Sequence, residues 1–325
     1  MALQRHQSDT RGVIFMLKKS SALLLAVLFL FCGCSKTQNS GEQYRFATGS
    51  TSGTYYTFGN YMAAIWDKYA DCDTEILSTT GSVENLNMLA DGDADFGIAQ
   101  NDILYYALNG KEMFAEKKLK GISVVAALYA KTVQVVVPAE SEVTAIGGLA
   151  GKIVAVGESG TATEAAARAI LEAHGISYDD ITVKYQNFSE ASDAMAKGTV
   201  DAAFVVSALP SAGVLDYIET HDIRLLSMTS VASAELTEGY PFFSYATVTA
   251  DVYGTDISCA TLSIETLLVC RSDLSGDEVE NVLAGLFENL DELASAHVKG
   301  SEINAETAYS SKVGTYHNGA KRYFG

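Results

Sequence analysis

Two short stretches of glycine, serine and threonine carry the residue types best able to hold a ligand. The first, Gly49-Ser50-Thr51-Ser52-Gly53-Thr54, follows Tyr44-Arg45-Phe46-Ala47-Thr48 and runs straight into Tyr55-Tyr56; the second, Gly157-Glu158-Ser159-Gly160-Thr161, follows Ile153-Val154-Ala155-Val156. A turn of this composition that opens a helix leaves backbone N–H groups without partners and adds the positive end of the helix dipole, which together bind a carboxylate without an arginine. Neither stretch is a nucleotide loop, since the first lacks the lysine of G-x-x-x-x-G-K-[ST] and neither matches G-x-G-x-x-G. Of Tyr55 and Tyr56, one is expected to cover a ligand with its ring and hydroxyl while the other faces the core, and the sequence does not say which.

Catalytic constellations are missing. Ser52-Gly53-Thr54 lacks the spacing of a nucleophile elbow. His174, His221, His297 and His317 are scattered without metal-ligand spacing, and Cys72, Cys259 and Cys270 have no histidine beside them. The residues therefore argue for binding without turnover, with no metal and no cofactor. An exported small-molecule hydrolase using a loop serine, or a ligand-sensing module, stands as the alternative.

Positioning such loops requires strands before them and helices after them. Phe58, Met62, Ile65 and Trp66 recur at helical spacing after the first loop, as do Ala162, Ala165, Ala166, Ala169 and Ile170 after the second. Thr54 is expected to cap the first helix, Thr161 and Glu164 to form a capping box, and Ser82-Val83-Glu84-Asn85 to open a further helix. The Ser-Gly-Thr loops lie 107 residues apart. A second shared landmark, Asn87 to Ile98 against Asp193 to Phe204, places Gly92 and Gly198 106 apart. Both glycines read as left-handed helix ends followed by a buried strand. The next segments, Ala99 to Asp102 and Val206 to Pro210, then emerge as loops at the carboxyl edge of a sheet, where α/β proteins hold ligands. Further strands are expected over 124–130, 132–137, 181–183, 201–205, 223–226 and 263–270, and a helix over 277–297. Two equally spaced landmarks predict an α/β protein of two related lobes with a ligand cleft between them.

The ends and composition set the context. Lys18 and Lys19 precede an apolar run, Ala22 to Phe31, too short to span a membrane. Residues 1–33 read as a signal segment, with Met16 a possible true start. Phe31-Cys32-Gly33-Cys34 resembles a lipoprotein cleavage site, with Cys34 the lipidated first residue of a linker over 34–41. Cleavage there leaves 18 basic against 39 acidic side chains, a net charge of −21, which repels nucleic acid. The remaining 292 residues exceed one ordinary core, and divide into lobe 1 over 42–137, lobe 2 over 138–262, and a return to lobe 1 over 263–325. Export permits a disulfide, and Cys259 with Cys270 is the nearest pair.

Several segments together resemble the TAXI family of solute receptors of TRAP transporters: Thr48 to Tyr56, Thr80 to Leu86, Gly157 to Thr161, Phe204 to Pro210, Ala284 to Leu290 and Tyr316 to Tyr323. The resemblance covers residues 42–325, with departures at Thr57, Asn318 and Tyr253 to Asp256. It implies a periplasmic-binding-protein fold of type II, extracytoplasmic and lipid-anchored, delivering a small organic acid or amino acid to a TRAP-type membrane permease. Glutamate-like amino acids and small dicarboxylates are the ligands it suggests. On that reading the carboxylate docks at Ser52, Gly53 and Thr54 or at Ser159, Gly160 and Thr161, and other polar groups of the ligand meet Ser82, Asn101, Asn187 or Ser207.

Overall fold

The computed structural model describes residues 41–51, 53–254 and 258–325; the signal segment, Cys34 and Ser52 lie outside the described residues. One ten-stranded sheet runs through the molecule. Its strands are β1 (Glu42–Ala47), β2 (Cys72–Leu77), β3 (Phe96–Gln100), β4 (Ile122–Pro138), β5 (Ile153–Ala155), β6 (Thr182–Lys184), β7 (Ala202–Ser207), β8 (Ile223–Leu225), β9 (Ser244–Val248) and β10 (Cys259–Arg271). Their order is β2-β1-β3-β10-β4-β7-β5-β6, with β8 on β4 and β9 on β10. Parallel pairs stand at both ends, β2-β1-β3 and β6-β5-β7, while the long β4 and β10 run antiparallel between them.

The expected helices form, with informative changes at their ends. They are α1 (Thr54–Tyr69), α2 (Ser82–Asp91), α3 (Asn101–Asn109), α4 (Ala162–Ala173), α5 (Phe188–Ala196), α6 (Ala212–Ile218), α7 (Ser230–Gly239), α8 (Gly276–Phe287), α9 (Leu290–Ala296), α10 (Ala305–Ala308) and α11 (Asn318–Phe324). Trp66, Phe58 and Met62 of α1 are fully buried with Phe46, Val279 and Leu283, so the first strand and a late helix share one core. Gly92 and Gly198 take positive φ of 81° and 68°, as glycines closing helices do. The stretch expected as one helix over 277–297 is two, because Asn289 leaves helical geometry and turns its amide back to the Gly285 carbonyl, 2.8 Å away.

The repeated landmark has a shared physical basis. Asp95 donates its N–H to the Arg45 carbonyl at 2.9 Å and accepts the Arg45 N–H on its carboxylate at 2.9 Å; Asp201 does the same to Ile153, at 2.8 and 2.7 Å. Each aspartate thus clamps the first strand of its parallel group to the strand that follows the left-handed glycine. Only Asp95 also holds guanidinium groups, those of Arg45 and Arg271, both at 3.1 Å.

Three expectations are corrected. Residues 122–138 form one strand that continues through Lys131 rather than two strands broken there, because Lys131 keeps its place in the ladder opposite Ile264. Neither expected loop stands as drawn: Ala99 and Gln100 end β3 and Asn101 and Asp102 start α3 directly, while Val206 and Ser207 end β7. Cys259 and Cys270 occupy opposite ends of extended β10, about 35 Å apart at strand rise, so no disulfide joins them; both, like Cys72, are free and buried.

Candidate functional site

A cavity of about 630 Å³ opens where the glycine loops meet the middle of the sheet. Its lining combines Gly49, Ser50, Gly53, Thr54 and Tyr55 with Gly81, Ser82, Gln100, Tyr129 and Lys131, and faces Gly160, Thr161, Val206, Ser207 and Ala208 across the opening. The N-termini of α1, α2 and α4 therefore converge on one space.

Two of those helix starts are left open by their own sequence. Gly53, not Thr54, precedes α1, and among the described residues no side chain caps its first N–H groups; no acidic residue occupies its first turn. Gly81, with φ of 117°, precedes α2 without a side-chain cap of its own, although Glu84 stands in that first turn and accepts the Thr80 N–H at 2.7 Å. Ser82 turns instead to accept the Gln100 N–H at 3.1 Å. At α4 the capping box is only half present. Thr161 accepts the Glu164 N–H at 3.3 Å, but the Glu164 carboxylate is drawn to Arg168 (2.7 and 2.9 Å) and to the Tyr178 hydroxyl (2.9 Å), which outcompete a single backbone donor.

Buried Asn85 holds the first loop in place. Its amide donates to the carbonyls of Thr48 and Ile98, both at 2.7 Å, while its own oxygen accepts from the Thr79 hydroxyl at 2.6 Å. With Thr79 N–H bonded to the Gly49 carbonyl at 3.1 Å, the turn after β1 is tied to both neighbouring strand ends.

Lys131 is the positive charge among the lining residues, and the lining holds no carboxylate. Its ammonium donates to the Gln100 side-chain oxygen at 3.0 Å and the Tyr55 hydroxyl at 3.2 Å, and sits 4.4 Å from the Tyr55 ring centre. The Gln100 amide nitrogen in turn donates to buried Asp102 at 3.3 Å. Sequence reasoning missed this lysine, although a signal existed: it is the one charged residue within the 17-residue strand Ile122–Pro138. The Tyr129 hydroxyl is buried without a partner among the described residues, and burial pushes its pKa well above the ordinary phenol value, so it remains a donor.

The remaining candidates separate clearly. Gly53, Thr54, Tyr55, Ser82, Gly160, Thr161 and Ser207 line the cavity; Tyr56, Asn101, Ser159 and Asn187 do not. Tyr55 is the inward tyrosine, and half-buried Tyr56 lies beside it on α1. Asn101 is buried and donates to the Phe242 carbonyl at 3.1 Å and Glu265 at 3.3 Å. Asn187 is exposed and engaged as the cap of α5, in a reciprocal box with Glu190.

Burial pushes the Asp102 carboxyl up to about 6, against the opposing pull of the Ile103 N–H, Gln100 and Lys131. A folded value above the ordinary 3.8 means that the fold favours the protonated form. That contribution is complete below about pH 4 and lost as pH rises through about 6. Acidification from pH 7.5 to 5 is therefore expected to return about 1 kcal/mol from this group. Urea melts at the two pH values should show that increment in the native protein and not in Asp102→Asn; equal pH slopes would refute it.

Among the described residues no group of three or more His, Cys, Asp or Glu side chains is placed to hold a metal ion, and no helix is long and apolar enough to cross a membrane. Comparison with solved structures finds the periplasmic sulfonate-binding protein SsuA of Methylobacillus flagellatus KT at TM-score 0.51 and 17% identity, over 87% of this chain and 76% of that one. A Xanthomonas citri protein bound to chloride ion matches at 0.51 and 9%, over 87% and 94%. A Bordetella bronchiseptica RB50 protein matches at 0.50 and 14%, over 86% and 96%. At such identities the likeness concerns the fold, a periplasmic-binding-protein-like α/β architecture. The NMT1-like family model matches residues 46–325, nearly the whole described body with both glycine loops and the lysine strand, and the chain belongs to that family.

Proposed function

We propose that the protein is an extracytoplasmic solute receptor that captures a small carboxylate-bearing molecule and does not transform it. The observation that carries this reading is the convergence of two uncapped helix starts and Lys131 on one cavity: a carboxylate placed there gains fixed N–H donors and a full positive charge, with no lining carboxylate to repel it. Residues 42–137 with 263–325 form one lobe and 138–262 the other, so that the cavity is a cleft whose walls close on the solute.

Delivery to a TRAP-type integral membrane permease, as a TAXI receptor, is the transport partnership that the resemblance of the loop and C-terminal segments supports. A lipid on Cys34 would hold the receptor at the membrane, provided that more than one acyl chain is attached, since a single chain anchors only marginally.

Calorimetric titration of the exported protein with a panel of small organic acids, amino acids, sugars and nucleotides tests the binding reading. At least one carboxylate is expected to bind with Kd of about 10 μM or tighter, and mass spectrometry should recover it unchanged. Binding confined to uncharged solutes, or conversion of the bound acid, would refute a carboxylate receptor.

A further inference from the structure

A chain of hydrogen bonds behind the cavity has only one satisfied direction. The Ser211 backbone N–H, which can only donate, reaches the Tyr253 hydroxyl oxygen at 2.7 Å. Tyr253 lies 2.6 Å from the side-chain oxygen of Gln134, and the Gln134 amide nitrogen lies 3.1 Å from the Ser207 hydroxyl oxygen. Gln134 and Tyr253 are buried, 1% and 7% exposed, so neither can turn to water for a missing partner. With its oxygen already accepting from Ser211, Tyr253 must donate to Gln134; were the amide flipped, the phenolic proton would be buried with no acceptor among the described residues. The orientation of Gln134 is thereby fixed, and one of its two amide N–H groups is given to Ser207. The Ser207 proton has no acceptor among the described residues, and Ser207 lines the cavity.

We propose that Tyr253 and Gln134 are positioning residues that set Ser207 as a hydrogen-bond donor toward the ligand, so that the cavity selects a carboxylate anion whose neighbouring group accepts hydrogen bonds, a 2-oxo acid, over the matching 2-amino acid. The opposite wall has the same polarity. Tyr55 accepts from Lys131 and keeps its own proton to give, Tyr129 has a hydroxyl without a partner among the described residues, and Gly53 and Gly81 bring no capping side chain to the starts of α1 and α2. An ammonium group entering this space meets the Lys131 ammonium and no carboxylate on the lining, and a buried charge without a counter-charge is strongly rejected. This selectivity rests on the receptor reading above.

Calorimetry on the exported protein with two matched pairs, 2-oxoglutarate against glutamate and pyruvate against alanine, tests it. In any pair that binds, the oxo acid is expected to bind at least about tenfold more tightly. Gln134→Glu replaces the amide with a group that only accepts, which turns the Ser207 proton away from the cavity and its lone pairs inward; the oxo-to-amino preference should fall at least about tenfold. Tyr253→Phe frees the amide to flip and should lower the preference by a smaller factor. Ser207→Ala, at a half-buried position that does not threaten folding, should weaken the oxo acid and leave the amino acid unchanged. Glutamate or alanine binding as tightly as its oxo partner, or a preference unmoved in all three variants, would overturn this proposal while leaving a carboxylate receptor standing. If no carboxylate of the wider panel binds, the receptor reading falls and this proposal with it.

Discussion

Lys131→Met is expected to weaken binding of a carboxylate at least about 100-fold. Hydrogen bonds to a charged group contribute about 1.5–3 kcal/mol, and removing one partner of a desolvated charge pair costs about 3–5 kcal/mol, while each factor of ten in affinity corresponds to about 1.4 kcal/mol. Lys131 is only partly buried, so the lower end of that range applies. Methionine keeps the aliphatic stem against the Tyr55 ring, and the thermal midpoint should move by no more than about 3 °C, roughly 1 kcal/mol. Lys131→Arg keeps the charge with a different shape and should recover part of the loss. Titration calorimetry at low and moderate salt reads both effects, and a change smaller than about fivefold for methionine would show that the ligand's charge is met elsewhere.

A comparable effect on stability is expected at Gly157, with Gly160 as its control. Both have positive φ, 96° and 76°. A side chain at Gly160 meets nothing within 4 Å, so Gly160→Ala carries only the left-handed backbone cost of about 1–2 kcal/mol. At Gly157 an added carbon would lie 2.8 Å from the Thr163 Cβ and 3.2 Å from the Glu164 nitrogen, against the first turn of α4. Overpacking there adds about 1–3 kcal/mol, for a total of about 2–5 kcal/mol. Relief of the clash has to push the Gly160–Thr161 wall of the cavity, so Gly157→Ala should lose affinity as well as stability. Equal urea midpoints for the two variants would show that α4 yields freely at its start.

What the sequence disclosed, and what it hid, follows from the range of the interactions involved. Gly92 and Gly198 are legible because a helix end, a left-handed glycine and a buried strand are contiguous events, and the same local solution appears twice at matching spacing. Seven of the proposed ligand residues line the cavity because they sit at strand-to-helix turns, which the Gly-Ser-Thr composition marks directly. Asn101 and Asn187 failed for opposite reasons: one is consumed by partners more than a hundred residues away, the other by its own helix. Tyr129, Lys131 and Gln134 escaped because alternation along a strand shows which residues share a face, and only the folded sheet shows that one face meets Gly53 and another meets Tyr253. Thr161 and Glu164 matched a local motif, yet Arg168 and Tyr178 offered the glutamate a better arrangement.

The placement of β10 between β3 and β4 bears on the order in which the chain can fold. Both neighbours belong to the first 138 residues, but each pairs with β10 rather than with the other, and β10 begins at Cys259. A nascent chain that has produced β1 through β4 still lacks the central strand of its own sheet, and must wait through roughly 120 further residues before that gap closes. Joining segments so distant in sequence is entropically slow. The N-terminal strands therefore stay unlocked during most of synthesis, and the last strand to arrive commits both ends of the sheet at once.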